Sequence, residues 1–372
     1  MTHSALDRTW MARALAIAER GRGTVRPNPL VGCVLVRDGD AVGEGHHERP
    51  GSPHAEVVAL RAAGDGARGA TAYVTLEPCD HTGRTGPCTS ALVDAGVTRV
   101  VYAVADPNPV AAGGAGRLRD AGIEVEAGVL APWAEQQNEV FLHLVRRQRP
   151  VVTLKLAQTR EGALVAPGRR WITGPAARAA VHRLRAASDA VLVGVGTVLA
   201  DDPRLDVRHV PVDPTAQPRP VVLDTTGRTP ADAAVVRPGA VVLTGPDVAR
   251  DWRAAVTAAG AEVVPVATGA DGRVDLTAAM DALVDRDIQV VLAEPGETLT
   301  AALVTQRLVD RLVLHVADLA GHPSPGPAMT PSVQPDADAT WGWRTVAAGV
   351  LGSDLELVLV PVETADEQRR SA

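Results

Sequence analysis

The sequence predicts an α/β protein built from two domains. Short Val-rich runs alternate with Ala-, Arg- and Leu-rich stretches of helical period along most of the chain, which is the pattern of α/β architecture. The length of 372 residues is long for one domain and comfortable for two. The last helical stretch of the first half stops at Pro150, where a strand begins. We therefore expect domains at residues 1–148 and 149–362, followed by a polar tail at residues 363–372.

The first half is expected to begin with an amphipathic helix and a β-hairpin. Residues 1–21 have the pattern of a helix rather than of a signal peptide. Residues 30–39 and 41–47 are predicted to be two strands joined by a turn near Asp38 and Gly39. The elements that follow are a helix at 54–63, a strand at 71–78, a helix at 87–96, a strand at 97–104, a short strand at 123–128 and one longer helix at 132–148.

The second half is expected to repeat this alternation. Strands are predicted at 151–157, 189–197, 218–224, 239–245 and 310–318, with a helix at 174–188. The strand at 189–197 should run into a Gly-rich turn, and residues 288–304 should form a strand, a tight turn and a helix. Residues 322–343 are rich in Pro, Gly and Asp, which predicts a surface loop.

The composition and the absence of targeting signals favour a cytoplasmic protein without a nucleic-acid or membrane partner. The formal net charge of -7 argues against a general nucleic-acid or anionic-membrane surface. No apolar run approaches the length needed to span a membrane. Three cysteines in a chain of this length argue against a disulfide framework.

Two prolines precede cysteines in the stretch "TLEPCDHTGRTGPC", and a His-x-Glu pair comes about twenty residues earlier. Cys88 follows Pro87 and should lie at a helix start, where the amides and the helix dipole favour the thiolate that binds metal. His54, Cys79 and Cys88 would then form a three-ligand set with an open fourth position, the arrangement of catalytic zinc. Zinc lowers the pKa of a bound water to about 7.

Glu56 explains why the metal site would be catalytic. Residues i and i+2 do not share a helix face, so His54 can reach the metal while Glu56 takes a proton from its water and passes it to a leaving amine. This is the logic of zinc-dependent nucleobase deaminases, although eight residues rather than two separate the cysteines here. A non-catalytic zinc module is an alternative, and Glu56 argues against it because a structural zinc needs no proton shuttle. A nucleic-acid deaminase is a further alternative, disfavoured by the acidic balance and the 2% of aromatic residues.

Longer motifs in both halves resemble one enzyme family. "RPNPLVGCVLVRDG", "GSPHAEVVAL", "AYVTLEPCDHTGRTGPC" and "ADPNP" in the first half, and "VTLKLAQTREG", "RRWITGPAAR" and "VHRLRAASDAVLVGVGTVLADDPRLDVR" in the second, closely resemble the bifunctional riboflavin-biosynthesis deaminase/reductase family. The resemblance implies a cytidine-deaminase-like zinc domain followed by a dihydrofolate-reductase-like domain. It implies Zn²⁺ and NADPH as cofactors, a phosphoribosyl pyrimidine as substrate, and a homo-oligomer that is a dimer or larger.

The resemblance also implies roles for individual residues. In the deaminase half it implies that His54, Cys79 and Cys88 bind zinc, that Glu56 shuttles the proton, and that Asn28, His47, His81 and Arg84 hold the substrate. In the reductase half it implies cofactor contacts at Ala157, Trp171, Thr197, Asp201 and Gly296, and substrate contacts at Arg185, Leu205, Arg208 and Glu294. Lys155 is the only Lys in the sequence, and we expect it to line the substrate site rather than merely to sit at a strand edge.

Several positions of the reductase half depart from the family pattern. Glu161 replaces an Asp, the large and charged Arg169 replaces a Ser, and Pro295 in "EPG" removes a backbone donor and fixes φ. Arg169 could instead provide a new contact to the substrate phosphate. These changes leave an alternative function open: a deaminase whose reductase-like domain has lost or changed activity and which acts on a related pyrimidine in a specialised pathway.

Overall fold

The computed structural model describes residues 3–81, 86–160, 162–163, 171–211, 217–317 and 341–363. The chain divides into two compact units, Met1–Gln148 and Arg149–Ala372, and each is described by itself. In the described part of the chain, no helix combines the length and the apolar character that a membrane span requires.

The first unit is a five-stranded sheet covered by helices on both faces. Its strands are β1 (Gly32–Arg37), β2 (Asp40–His46), β3 (Thr71–Leu76), β4 (Arg99–Val104) and β5 (Glu124–Ala127), in the order β2-β1-β3-β4-β5. Its helices are α1 (Ala5–Ala18), α2 (Ala55–Ala63), α3 (Cys88–Asp94), α4 (Gly114–Asp120), α5 (Ala131–Gln137) and α6 (Glu139–Arg147). The pairs β1–β2 and β1–β3 are antiparallel, and β3–β4 and β4–β5 are parallel.

Two apolar layers hold this unit together, one on each face of the sheet. Met11 and Ile17 of α1 pack with Val34 and Val101 on one face. On the other face, buried residues of α2, α3 and α4 pack with Cys33, Leu35, Val74 and Val100. Full burial of one such side chain stabilises the fold by about 1.5–3 kcal/mol.

The predicted hairpin is confirmed, including its turn. Asp38 and Gly39 connect β1 to β2 with φ angles of 54° and 90°. Positive φ at both central residues is the geometry that Asp-Gly favours in two-residue hairpin loops.

The prediction of one longer helix at 132–148 was wrong, because the helix is interrupted at Asn138. Asn138 leaves the helical region at φ −106° and ψ 21°. Its buried side chain accepts a hydrogen bond from Leu30 N (2.8 Å) and donates one to Leu30 O (2.9 Å). The break therefore orients the Asn138 side chain toward the segment that leads into β1.

The second unit contains a nine-stranded sheet. Its strands are β6 (Val151–Thr159), β7 (Ala190–Gly194), β8 (Arg219–Leu223), β9 (Val241–Thr244), β10 (Glu262–Pro265), β11 (Val290–Ala293), β12 (Arg311–Ala317), β13 (Trp341–Leu351) and β14 (Asp354–Glu363), in the order β10-β9-β8-β7-β11-β6-β12-β14-β13. Its helices are α7 (Pro175–Ala186), α8 (Val195–Asp201), α9 (Arg250–Ala258), α10 (Leu276–Val284) and α11 (Glu297–Thr305). In this spatial order, all neighbouring strands from β10 across to β12 are parallel. The last two pairs, β12–β14 and β14–β13, are antiparallel.

Two segments of this unit differ from the sequence-based expectation. The Gly-rich turn expected after β7 is the helix α8, which begins directly at Val195. The loop predicted at 322–343 lies outside the described residues up to position 340, and residues 341–343 already belong to β13. The tail beyond Glu363 also lies outside the described residues.

Candidate zinc and reductase sites

His54 and Glu56 lie on either side of the first residue of α2. The His54 backbone is still extended, at φ −69° and ψ 160°, whereas Glu56 is already helical and 3% exposed. The start of α2 packs closely on β2 because Gly45 has no side chain: a Cβ there would lie 2.3 Å from Ala55 O. The two functional side chains are therefore fixed by the contact between helix and sheet.

Cys79 and Cys88 come from the connection between β3 and α3. Cys79 lies three residues beyond the end of β3, and Cys88 is the first residue of α3, directly after Pro87. Thr89 N donates a hydrogen bond to Cys79 O over 3.3 Å. This bond ties the two cysteine segments together.

The three predicted ligands converge with spacings that suit zinc. His54 Nδ1 is 3.2 Å from Cys88 Sγ and 3.5 Å from Cys79 Sγ, and the three ligand atoms lie within 4.8 Å of one another. A tetrahedral zinc with ordinary bond lengths separates its nitrogen and sulfur ligands by about 3.5 Å. The donor set therefore fits a zinc ion.

The pKa values of the two thiols differ because the two sulfurs lie next to each other. Hydrogen bonds from Cys88 and His54 lower the pKa of the Cys79 thiol to about 4. The Cys88 thiol, which donates to Cys79 and is buried, has its pKa raised. Two adjacent sulfurs cannot both ionise without a cation between them, and a divalent metal supplies that cation.

Burial raises the pKa of Glu56 above the usual range of a carboxyl group. Desolvation is the largest cause, because it disfavours the charged form. A raised pKa makes the carboxylate a better proton acceptor, which suits a group that must take up a proton and pass it on.

A cavity of about 450 Å³ opens from the ligand set. Three of the four residues predicted to hold the pyrimidine line it, namely Asn28, His47 and His81, and the fourth, Arg84, lies outside the described residues. The wall also contains residues that we did not predict: Ser52, Glu77, Asp106, Asn108 and Phe141. Asp106 and Asn108 belong to the "ADPNP" motif. The position of this motif directly after β4 could have indicated that both residues line the site.

Asn28 and His47 are arranged as a recognition pair. The buried His47 ring bonds Pro53 O through Nδ1 (3.3 Å) and the Asn28 amide nitrogen through Nε2 (2.9 Å). A carbonyl only accepts, so Nδ1 carries the proton and Nε2 accepts from Asn28. Burial lowers the pKa of His47, which keeps this neutral tautomer. The Asn28 carbonyl oxygen is thereby directed away from His47 and is available to a ligand.

Glu77 organises the loop that carries Asp106. Its carboxylate accepts from Asp106 N (3.2 Å) and from Ala115 N (2.9 Å). The Asp106 carboxylate in turn accepts from Asn108 N (2.9 Å). The part of the cavity wall that contains Asp106 and Asn108 is therefore held by one buried carboxylate.

In the second unit, Arg185 and Glu294 form a paired site. Arg185 on α7 donates to both Glu294 oxygens, at 2.7 and 2.8 Å, and to Asp206 O at 3.0 Å. The charges of both residues act on Lys155, whose pKa is lowered by burial. Three of the predicted substrate residues are thus brought together where β11 ends beside the middle of β6.

The segment around Leu205 and Arg208 is fixed against the same helix. Leu205 is 2% exposed, and Arg208 N donates to His182 Nδ1 over 3.0 Å. The Arg208 guanidinium pairs with Asp206 at 3.2 Å. Arg208 itself is exposed, whereas Arg169 lies outside the described residues.

The predicted cofactor residues are distributed over four segments of the second unit. Thr197 and Gly296 are neighbours, since a Cβ on Gly296 would lie 3.7 Å from Thr197 Oγ1. Ala157 lies on β6, and the exposed Asp201 ends α8. Trp171 is 56% exposed, and the Arg178 guanidinium lies 5.4 Å from the centre of its ring.

The open backbone at the carboxyl end of β7 suits the close approach of a nucleotide cofactor. A Cβ on Gly196 would meet no atom within 4 Å, and one on Gly194 would meet only Leu299. Ligands of parallel sheets bind at this end of the strands, where close approach to the backbone matters.

Comparison with known proteins identifies the family. Residues 4–104 match the cytidine and deoxycytidylate deaminase zinc-binding region, and residues 150–321 match the RibD C-terminal domain. The riboflavin biosynthesis protein RibD of Escherichia coli (strain K12) is 44% identical over 350 residues, covering 90% of this chain and 94% of the relative. The RibD of Haemophilus influenzae is 39% identical over 373 residues, covering 96% and 98%. The chain belongs to the RibD family.

Solved RibD structures share the fold over the whole chain. Acinetobacter baumannii RibD is 38% identical with a TM-score of 0.77, and the match covers 96% of this chain and 99% of that one. A deaminase/reductase from Thermotoga maritima is 31% identical with a TM-score of 0.73 and the same coverage. These matches confirm the expected two-domain fold and a bifunctional deaminase and reductase that uses Zn²⁺ and NADPH.

Proposed function

We propose that the chain catalyses two consecutive steps of riboflavin biosynthesis. The deaminase domain, residues 1–148, replaces a ring amino group of a diaminohydroxyphosphoribosylaminopyrimidine by oxygen from water and releases ammonia. The reductase domain, residues 149–362, then reduces the ribosyl chain of 5-amino-6-(5-phosphoribosylamino)uracil to a ribityl chain. The observation that carries the proposal is the three-ligand set with a buried Glu56, open to a cavity that Asn28 and His47 line.

In the deaminase site, His54, Cys79 and Cys88 would hold zinc, which supplies the Lewis acidity that makes water nucleophilic at neutral pH. The Glu56 carboxylate takes a proton from the attacking water and delivers it to the departing amino group, which leaves as ammonia. The raised pKa of Glu56 suits both transfers. Asn28 presents its amide to the pyrimidine edge, and His47 fixes the orientation of that amide.

In the reductase site, Arg185 and Arg208 provide cationic groups for a phosphorylated sugar. Glu294 orients Arg185 through a two-point ion pair. We propose the full substrate set as Lys155, Arg169, Arg185, Leu205, Arg208 and Glu294, and the cofactor set as Ala157, Trp171, Thr197, Asp201 and Gly296. NADPH, when bound, supplies the hydride.

The alternative of a deaminase with an inactive reductase-like domain is not favoured. The match to curated RibD proteins extends through both domains. The ion pair of Arg185 with Glu294 is intact beside the substituted Pro295.

A product assay tests both activities on purified, zinc-loaded protein with the diaminopyrimidinone substrate. We expect deamination without NADPH and a ribityl product with it. Deamination alone in both reactions would refute the reductase assignment, and no ammonia release in either would refute the deaminase assignment.

We also propose a cytoplasmic location and a homo-oligomer. A reducing compartment would keep Cys79 and Cys88 available as zinc ligands. The exposed strand β13 ends the sheet among the described strands and carries the exposed Val346 and Val350, a feature that suits pairing with a second copy. Light scattering on the purified protein tests the oligomer, since a monomer at micromolar concentration would refute it.

A further inference from the structure

Helix α7 contains a buried histidine that the proposed reduction leaves without a role. His182 is 7% exposed and precedes Arg185 by three residues, so the two side chains lie on one face of the helix. This face contacts residues 205–209, the segment that contains the proposed substrate residues Leu205 and Arg208. His182 is therefore buried against a part of the proposed substrate site.

The backbone of residues 205–209 has an intrinsically unfavourable shape. Leu205 and His209 have φ angles of 51° and 63°, in the left-handed region that residues other than Gly adopt rarely. A residue stays in such a conformation only where the surrounding contacts fix it. The shape of this segment therefore depends on side chains that lie outside it.

Two of these side chains fix the middle of the segment. Arg185 Nη1 donates a hydrogen bond to Asp206 O over 3.0 Å. The Gln217 side chain binds both backbone groups of Val207: its Oε1 accepts from Val207 N at 2.7 Å, and its Nε2 donates to Val207 O at 3.4 Å. The next backbone amide along the chain belongs to Arg208 and is bound by a different side chain.

His182 binds the Arg208 amide and must be neutral to do so. Arg208 N donates to His182 Nδ1 over 3.0 Å. A backbone N–H only donates, so Nδ1 presents its lone pair and the ring proton is on Nε2. A protonated imidazole has an N–H at both nitrogens and could not accept this hydrogen bond. The contact therefore exists only while the ring is uncharged.

The surroundings of the ring favour this neutral form. Burial is the largest cause that lowers the pKa of His182. Arg185 on the same helix lowers it further, as do Arg208 and His209 on the facing segment. Glu294, directly after β11, acts in the opposite direction. Near neutral pH, the ring therefore keeps its acceptor for the Arg208 amide.

We propose that His182 is a positioning residue of the reductase site: its Nδ1 lone pair fixes the backbone amide of Arg208, and with it the point from which the Arg208 guanidinium reaches the substrate phosphate. The Arg208 side chain is 46% exposed and lies 3.2 Å from the Asp206 carboxylate, so its reach depends on where its backbone is held. The proposal rests on the proposed function for the role of Arg208 as a phosphate contact. The hydrogen bond itself is measurable without substrate.

The direct test is amide hydrogen exchange at Arg208, followed by NMR of the ¹⁵N-arginine-labelled, zinc-loaded full chain without substrate or NADPH. His182→Leu removes the acceptor. His182→Asn is the matched control, because its amide oxygen offers an uncharged acceptor near the position of Nδ1. At pH 7 we expect the Arg208 amide to exchange about five- to tenfold faster in His182→Leu, the effect of one lost hydrogen bond, and within about twofold of the wild type in His182→Asn. Equal exchange in the wild type and His182→Leu overturns the proposal.

Steady-state kinetics connect the hydrogen bond to the substrate. His182→Leu should raise KM for the phosphoribosyl substrate of the reduction about five- to tenfold, whereas His182→Asn should stay within about twofold of the wild type. Deamination is the folding control and should be unchanged, because the zinc ligands belong to the first unit. An unchanged KM in His182→Leu overturns the proposal. If the wild type does not reduce the substrate at all, the proposed function fails, and the role given to this bond fails with it.

The pH dependence of exchange is a readout that mere packing would not move. Protonation of Nδ1 removes the acceptor, so the protection of the wild-type Arg208 amide, relative to an unstructured peptide at the same pH, should fall about five- to tenfold as the pH falls through the pKa of His182. The same pKa is read independently from the ring signals of ¹⁵N-histidine-labelled protein, assigned with His182→Asn. His182→Asn cannot be protonated and should keep its protection. Wild-type protection that stays constant while the ring titrates would overturn the proposal.

Discussion

We expect Gly114 to control the position of Cys79, the proposed zinc ligand, and Gly114→Ala tests this directly. A Cβ on Gly114 would lie 1.8 Å from Pro78 O, and Pro78 precedes Cys79 in the chain. Neither Gly114 nor the segment of Pro78 and Cys79 can move freely. Ala115 N is bonded to the Glu77 carboxylate at 2.9 Å, and Cys79 O accepts from Thr89 N at 3.3 Å.

The expected loss of zinc affinity follows from the size of the clash at Gly114. A contact of 1.8 Å must open by more than about 1 Å before it becomes tolerable, whereas zinc ligands must stay within about 0.2 Å of their positions. We expect zinc affinity to fall by about 10- to 100-fold, as when groups that orient metal ligands are removed. Overpacking should also lower the free energy of unfolding by about 1–3 kcal/mol.

Gly116→Ala is the matched control on the same helix. Gly116 is exposed, and a Cβ there meets no atom within 4 Å. This variant should keep zinc and gain about 0.5–1 kcal/mol of stability from helix propensity. Zinc affinity is measured by competition with a chromophoric chelator, and stability by thermal unfolding with and without EDTA. Equal zinc affinity in Gly114→Ala and Gly116→Ala would refute the reasoning.

Three further predictions concern single side chains. Glu56→Gln should keep its zinc, as measured by metal analysis, and lose deamination by about 10²- to 10⁴-fold; a variant that deaminates within about tenfold of the wild-type rate would contradict the proton-shuttle role. The hydrogen bond from Arg99 lowers the pKa of Asp7 to about 2. Asp7 therefore contributes stability above pH 4 that is lost as the pH falls toward 2. In urea unfolding, Asp7→Asn should lower the free energy of unfolding by about 1–2 kcal/mol at pH 7, and this loss should vanish at pH 2. A loss that does not depend on pH would contradict the lowered pKa of Asp7. Glu294→Gln leaves the largely buried Arg185 without its counter-charge, so it should cost about 3 kcal/mol in unfolding free energy and abolish reduction but not deamination; unchanged KM values for reduction would disprove its role.

Local chemistry explains why the convergence of the three proposed zinc ligands was predictable from the sequence. His54, Glu56 and Cys88 owe their positions to helix starts, which Pro and short polar motifs mark over a few residues. The hairpin turn at Asp38 and Gly39 was predictable for the same reason. Each of these features is determined by neighbours in the sequence.

Long-range contacts explain most of what was not predicted. The break at Asn138 depends on Leu30, 108 residues away, and no periodicity within 132–148 shows it. Glu77 became part of the site because its carboxylate accepts from the amides of Asp106 and Ala115, which lie later in the chain. The helix α8 was expected to be a turn because Gly has low helix propensity, which the packing of the buried Val195 and Val198 overrides.

The Pro295 substitution shows why a departure from a family motif need not disable a site. The residue before it is fixed independently, because Glu294 N donates to Leu192 O at 2.9 Å and the Glu294 carboxylate holds Arg185. The helix after it begins without help from position 295, since Gly296 O accepts from Thr300 N at 3.0 Å. Pro lacks an N–H and restricts φ, and both are tolerated directly before a helix. The geometry that positions Arg185 is therefore insensitive to Pro295, and the substitution gives no physical reason to expect loss of hydride transfer.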